Sequence, residues 1–238
     1  MTRRRWIADE VFGGQAALTG AHAEHLVRVL RARIGQEFDL VAQGVVRHGR
    51  VSSIVDGRVE FELGPEISSS PAPVNVTLLL AVFKFDRMEW AIEKVTELGV
   101  ARIIPVIAQR TDAHLASAAV KRVERWRRIV VQAAEQSRRT VALDFSEPVK
   151  LQTAVSLPGP LKCVLSETEQ DASLRDLLSA NENVSEILLA IGPEGGWTEG
   201  ELELFRKEGW TSVSLGPTIL RAETAAIASL AITMSMFS

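Results

Sequence analysis

From residue 74 onward the sequence alternates two kinds of segment, and this limits the fold more than any other feature. Residues 74–82 form an unbroken apolar run of strand length, the pattern of a strand covered on both faces. A helical pattern follows, with Met88, Ala91, Ile92, Val95 and Leu98 on one face and Gly99 at its end. Asp86 is expected to cap its start. Residues 103–107 make the next strand. A long helix is expected over 117–137, with Val123, Trp126, Val130, Ala133 and Ala134 turned inward. Strands over 161–165 and 187–191 follow, with a helix near 173–178 between them. Thr198 and Glu201 have the spacing of a capping box, opening a helix that stops at Gly209. A strand over 212–215 and a helix from about residue 223 close the chain. Strands alternating with helices make a parallel α/β sheet with both faces covered.

The first third of the chain reads differently. Segments 37–41, 45–55 and 58–63 are rich in Val, Ile and Phe and are punctuated by Gly44 and Asp56-Gly57. Asp-Gly between two such runs is a hairpin signal. One helix is expected over 21–31, with Leu26, Val29 and Leu30 on one face and Gly35 beyond its end. Short strands of this kind suggest a small β-barrel, an architecture that often binds nucleic acid. Between the two patterns, residues 64–73 read Gly-Pro-Glu-Ile-Ser-Ser-Ser-Pro-Ala-Pro, the composition of a linker. Two domains are expected, 1–70 and 74–238.

Charge divides along the chain as well. Residues 144–238 hold 6 basic and 14 acidic side chains, whereas the first 143 hold 21 and 16, so an overall −3 conceals a basic first part. Its cations are clumped: Arg3, Arg4 and Arg5; Arg28, Arg31 and Arg33; and Lys121, Arg122, Arg125, Arg127 and Arg128, followed by Arg138 and Arg139. Each clump alone is equally well a solvated face; three together fit a phosphate backbone. Cys163 is the only cysteine, which excludes a disulfide framework and a multi-cysteine zinc site and suits a reducing compartment. The basic start is followed by no signal-peptide core. The apolar stretch 225–237 is short for a membrane span and is interrupted by Ser229, Thr233 and Ser235. A cytoplasmic location and no membrane partner are expected. The four histidines are scattered, so no metal is expected.

In open α/β sheets ligands bind beyond the carboxyl ends of strands. Two such ends are unusual. Ile191-Gly192-Pro193-Glu194-Gly195-Gly196 joins a strand to the capped helix; its glycines permit positive φ and close approach of a ligand. It lacks the spacing of a dinucleotide fingerprint or a P-loop. Leu215-Gly216-Pro217-Thr218-Ile219-Leu220-Arg221-Ala222-Glu223-Thr224-Ala225 joins the last strand to the last helix. Ile219 and Leu220 within that loop suit a wall for a flat ring such as adenine. No nucleophile elbow occurs, and Cys163 falls inside an expected strand.

The two segments together resemble the RsmE family of 16S ribosomal RNA uridine-N3 methyltransferases, of the SPOUT class. Further similarity lies in Lys84-Phe85-Asp86-Arg87-Met88-Glu89, residues 93–100, Arg125-Trp126, Glu135-Gln136-Ser137, and His25 to Arg31 with Gly35. Thr218, Ala222 and Gln109 depart from the family pattern, which commonly has Arg, Thr and Glu there.

The resemblance implies a PUA-like RNA-binding β-barrel over 1–70 and a SPOUT domain with a trefoil knot over 74–238. It implies methylation by S-adenosylmethionine, with S-adenosylhomocysteine as product, of N3 of one uridine, position 1498 of 16S rRNA in the small subunit. It also implies a homodimer. The cofactor is expected on Ile191, Gly192, Pro193, Glu194, Gly195 and Gly196, on Leu215, Gly216, Ile219 and Leu220, and on Leu165, Thr224 and Ala225. Arg3, Arg4, Arg5, Arg28, Arg31 and Arg110 are expected to meet RNA. Arg221 is the candidate for stabilising the uridine anion, and Glu194 and Glu223 for accepting the N3 proton. Alternatives stay open for both carboxylates: Glu223 as a helix-start charge, Glu194 as an acceptor of loop amides. Two other functions also stay open, methylation of a ribose hydroxyl and a non-catalytic RNA-binding role.

Overall fold

The structure is a computed structural model that describes residues 5–43, 45–67, 74–137, 139 and 143–237. The chain divides into two compact units, one of Met1–Pro71 with Ala134–Ala142, the other of Ala72–Ala133 with Leu143–Ser238.

The first unit is a curled six-stranded sheet. Its strands are β1 (Arg5–Ile7), β2 (Glu10–Phe12), β3 (Gln15–Thr19), β4 (Glu37–Ala42), β5 (Val45–Val55) and β6 (Arg58–Ile67), in the order β1-β4-β5-β6-β3-β2. Only β1 and β4 run parallel. The two ends of this order are consecutive in sequence. The Ala8 amide donates to the Val41 carbonyl and the Asp9 amide to that of Ala17, at 2.9 and 3.0 Å. One short stretch therefore serves both sheet edges, which closes the curl and leaves no long unpaired edge. Trp6, Leu18, Leu26, Leu40, Val51, Val59 and Phe61 fill the interior.

Asp56-Gly57 makes the β5–β6 turn, with Gly57 at φ +73°. Strand β6 runs four residues further than the linker composition suggests, through Gly64 and Pro65. The register slips there, so Pro65 stands outside the ladder and its missing N–H costs nothing. The remaining linker, 68–73, lies outside the described residues. The helix expected over 21–31 is α1 (Gly20–Glu24) continued by a π-helical turn, His25–Val29, and it ends at Arg31 with φ +52°.

In the second unit every strand pair is parallel. The strands are β7 (Asn75–Ala81), β8 (Arg102–Ile107), β9 (Asp144–Phe145), β10 (Val149–Lys150), β11 (Leu161–Leu165), β12 (Glu186–Ile191) and β13 (Thr211–Val213). They lie in the order β10-β8-β7-β12-β11-β13, with β9 also on β8. The helices are α2 (Phe85–Glu97), α3 (Ala113–Gln136), α4 (Leu151–Val155), α5 (Leu174–Ser179), α6 (Glu199–Lys207) and α7 (Ala222–Met236). Val76, Leu78 and Leu80 of β7 face α2, α3, α5 and α7; Leu79 and Ala81 face α4 and α6. Cys163 is buried within β11, and burial pushes its thiol up to about 12.

Helix α2 starts one residue before Asp86, with Lys84 as its N-cap, so Asp86 contributes a first-turn charge and no cap bond. Helix α6 carries the expected capping box: the Thr198 hydroxyl accepts the Glu201 amide, and the Glu201 carboxylate accepts the Thr198 amide. Replacing Thr198 with Ala should lower the unfolding free energy by about 1 kcal/mol, read from urea denaturation. An unchanged midpoint would show that the cap carries no stability.

Candidate active site

Three neighbouring parallel strands, β12, β11 and β13, end on one side of the sheet, and their exit loops enclose a cleft of about 320 Å³. Its apolar lining includes Leu165, Ile191, Val213, Leu215 and Leu220. Ile219 joins them although 81% exposed, an apolar side chain held outside the core. Ion-forming side chains in the lining are Arg87, Glu167, Glu169, Glu194 and Arg221.

Each loop is fixed by polar contacts of its own. In the β11 exit, the Ser166 and Thr168 hydroxyls meet at 2.9 Å. The Glu169 carboxylate accepts the amides of Asp171 and Ala172 at 2.9 and 3.2 Å, and these bonds hold its pKa below the ordinary value. In the β12 exit, Arg110 reaches across 85 residues and donates to the Gly195 carbonyl at 2.6 Å. Gln109 donates its amide to Glu201 at 2.7 Å and accepts the Thr198 hydroxyl at 2.9 Å.

The glycines of this loop make room for the protein's own side chains. A Cβ on Gly192 would come within 3.2 Å of the Trp197 indole, and one on Gly195 within 3.4 Å of Arg110. Gly196 has φ +68°, and a Cβ there would sit 2.8 Å from the Glu167 carboxylate. The close approach expected from a ligand is thus made first by Trp197, Arg110 and Glu167.

Most residues expected around a cofactor line this cleft: Leu165, Ile191, Gly192, Pro193, Glu194, Gly196, Leu215, Gly216, Ile219, Leu220 and Ala225, with Arg221 at the N-cap of α7. Gly195 and Thr224 are outside the lining. Glu223 is outside it too: its carboxylate is buried and pairs with Arg87 at 3.8 Å. Glu194 is exposed at the cleft. Thr218 is in the lining, and Ala222 lines it while largely buried.

Sequence reasoning passed over Arg87, Ser166, Glu167, Thr168 and Glu169. The signal for Arg87 was its place in the 84–89 motif, in the first turn of a helix, where the dipole offers a cation no stabilisation. Of the arginines expected to meet RNA, Arg3 and Arg4 lie outside the described residues. Arg5 is half-buried in β1, and Arg28 and Arg31 are exposed in the first unit. Among the described residues no cluster of His, Cys, Asp or Glu is gathered as for a metal.

Residues 70–234 match the family model for an RNA methyltransferase domain. The ribosomal RNA small subunit methyltransferase E of Synechocystis is 33% identical over 94% of this chain and 74% of its own length. The chain belongs to the ribosomal RNA small subunit methyltransferase E family. The member from Aquifex aeolicus is 28% identical over 96% of this chain and 97% of its own. The crystal structure of the Neisseria gonorrhoeae member, bound to S-adenosylmethionine, superposes with a TM-score of 0.86 at 30% identity over 98% of both chains. A Legionella pneumophila protein, in complex with the same cofactor, gives 0.86 at 27% identity over 99% of this chain and 98% of that one.

In this member of the family, Arg110→Ala should loosen the β12 exit. The Gly196 amide, bonded to the Pro193 carbonyl at 2.8 Å, should then exchange about tenfold faster by NMR. Unaltered exchange would show that the loop holds without Arg110.

Proposed function

We propose that this chain transfers the methyl group of S-adenosylmethionine to N3 of one uridine, position 1498 of 16S ribosomal RNA in the small subunit. The observation that carries the reading is the cleft at three strand ends, bordered by Gly-Pro-Glu-Gly-Gly on one side and the Ile219–Arg221 loop on the other. Relatives that bear the family name and solved neighbours that hold the cofactor support it.

The residues present fit the cofactor. Leu165, Ile191, Leu220 and the outward-held Ile219 offer apolar walls to a ring. Gly216, at φ +120°, has open space in front of it, so a ligand can lie against the backbone. Glu167, Glu169 and Glu194 line the same cleft and would offer negative charge to the cofactor's sulfonium and ammonium. When bound, the cofactor supplies an electrophilic methyl group; the protein's part is to make N3 a nucleophile and hold it in line.

Uridine N3 carries a proton, and its lone pair is free only once that proton leaves. Glu194, exposed at the cleft, accepts it. As the proton departs, negative charge spreads to the uracil oxygens, and Arg221 donates to them. Glu223, buried against Arg87, orients its neighbour and does not take the proton.

The same reading assigns 1–70 as a PUA-like RNA-binding domain and 74–238 as a SPOUT domain with a trefoil knot. It places Arg3, Arg4, Arg5, Arg28 and Arg31 toward RNA and the protein in the cytoplasm. No helix among the described residues is long and apolar enough to cross a membrane. The homodimer is supported by α7, which carries apolar residues on every side. Ala226 and Leu230 are buried, yet Ile227, Ala231, Ile232 and Met236 stay half-buried in the single chain.

Single-turnover methylation of small subunits tests the role of Arg221. Arg221→Ala should slow the chemical step roughly a hundredfold, with cofactor affinity and melting temperature near the wild-type values. Lysine should restore it only in part, because an ammonium cannot copy the planar fork. A destabilised Arg221→Ala protein with a normal rate would make this arginine structural. Wild-type protein that fails to bind S-adenosylmethionine by calorimetry would contradict the whole reading.

A further inference from the structure

Helices α2 and α7 both begin at the cleft. Lys84 caps α2 and Arg87 stands in its first turn; Arg221 caps α7 and Glu223 stands in its first turn. The Glu223 side chain is only 8% exposed, and among the described residues its Oε2 makes no hydrogen bond. Its ion-pair partner among them is the Arg87 Nε, 3.8 Å from Oε1. The Arg87 side chain is one-third exposed and lines the cleft, and neither of its terminal nitrogens is hydrogen-bonded among the described residues. A buried carboxylate thus faces the inner nitrogen of the guanidinium at ion-pair distance, beyond hydrogen-bond reach, and the outer fork is left toward the cleft. Lys84, exposed, adds charge at the same helix end, and Arg221 adds it across the mouth.

That arrangement suits an oxyanion: a planar fork, held from behind, near two helix N-termini. Resting on the reading of this chain as an RNA methyltransferase, we propose that Arg87 binds a phosphodiester oxygen of the substrate RNA beside the target nucleotide, with Glu223 as its positioning residue. Arg87 comes from a helix and not from the strand-end loops that form the cofactor's cradle. It shares its helix end with an exposed lysine, which points to the polymer as the anion's source. Phosphate contacts of this kind set register and orientation without reading the base. A nucleotide drawn out of its stack needs such a hold on its backbone.

The test is steady-state methylation of isolated small subunits by the full chain, with KM and kcat for RNA measured from 50 to 200 mM KCl. Calorimetry with S-adenosylmethionine and melting temperature run alongside. Arg87→Ala should raise KM for the subunit about tenfold and lower kcat less than threefold. It should also flatten the log KM against log salt slope by about one contact. Cofactor affinity should stay within twofold of wild type. Arg87→Lys should keep the salt slope, because a point charge still meets a phosphate. Glu223→Gln, which retains shape, should raise KM about threefold without changing the slope. If Arg87→Ala instead weakens the cofactor and leaves KM for RNA alone, the anion is the cofactor's carboxylate and the proposal fails. If all kinetic values hold while the melting temperature falls, the pair is a structural ion pair and the proposal fails. A wild-type chain that binds the cofactor but methylates no RNA overturns the reading beneath the proposal, and is told apart from both by needing no variant.

Discussion

The Glu201 carboxylate is the contact on which the site depends. It is buried, and it accepts the backbone amides of Gln109 at 2.7 Å and Thr198 at 2.8 Å. One side chain thereby joins the exit of β8, the end of the Gly-Pro-Glu-Gly-Gly loop and the start of α6. Each of these bonds lowers the cost of keeping the carboxylate out of water, and their donors sit at the edges of the loop that borders the cleft. Arg110 extends the same clamp from the β8 side to the Gly195 carbonyl. The loop beside the cofactor's expected place is therefore held by groups that do not line the cleft.

Charge and apolar surface are separated around that loop. The strand ends supply apolar walls, the β11 exit supplies Glu167 and Glu169, and the two helix starts supply Arg87 and Arg221. Such a site suits the reading in which a cationic cofactor lies on its acidic side and an anionic polymer on its basic side. The net charge of the chain, −3, conceals this polarity.

Much of the second unit was legible because its signals are local. The apolar face of α2 reads Met88, Ala91, Ile92 and Val95 in sequence, and all four are buried. Strand β11 has the bounds its apolar run suggests, and the capping box of α6 follows from two residues three apart. Long-range placement was not legible. No periodicity joins Arg110 to a carbonyl 85 residues away, or brings Glu223 behind Arg87. The split of residues 5–12 between two sheet edges depends on β4 and β3, not on the segment's own pattern. The glycines of the β12 exit were expected to permit positive φ and the close approach of a ligand; only Gly196 has positive φ, and a sequence does not say whether a ligand or a neighbouring side chain comes close. Here Trp197 and Arg110 do.

This cleft is proposed to direct a methyl group to a base nitrogen. The most direct measurement is nucleoside mass spectrometry of 16S rRNA after small subunits lacking the modification are incubated with the wild-type protein and isotope-labelled S-adenosylmethionine. Label is expected in N3-methyluridine at a single position. Label in a ribose-methylated nucleoside, or none in RNA while the cofactor still binds, would contradict it.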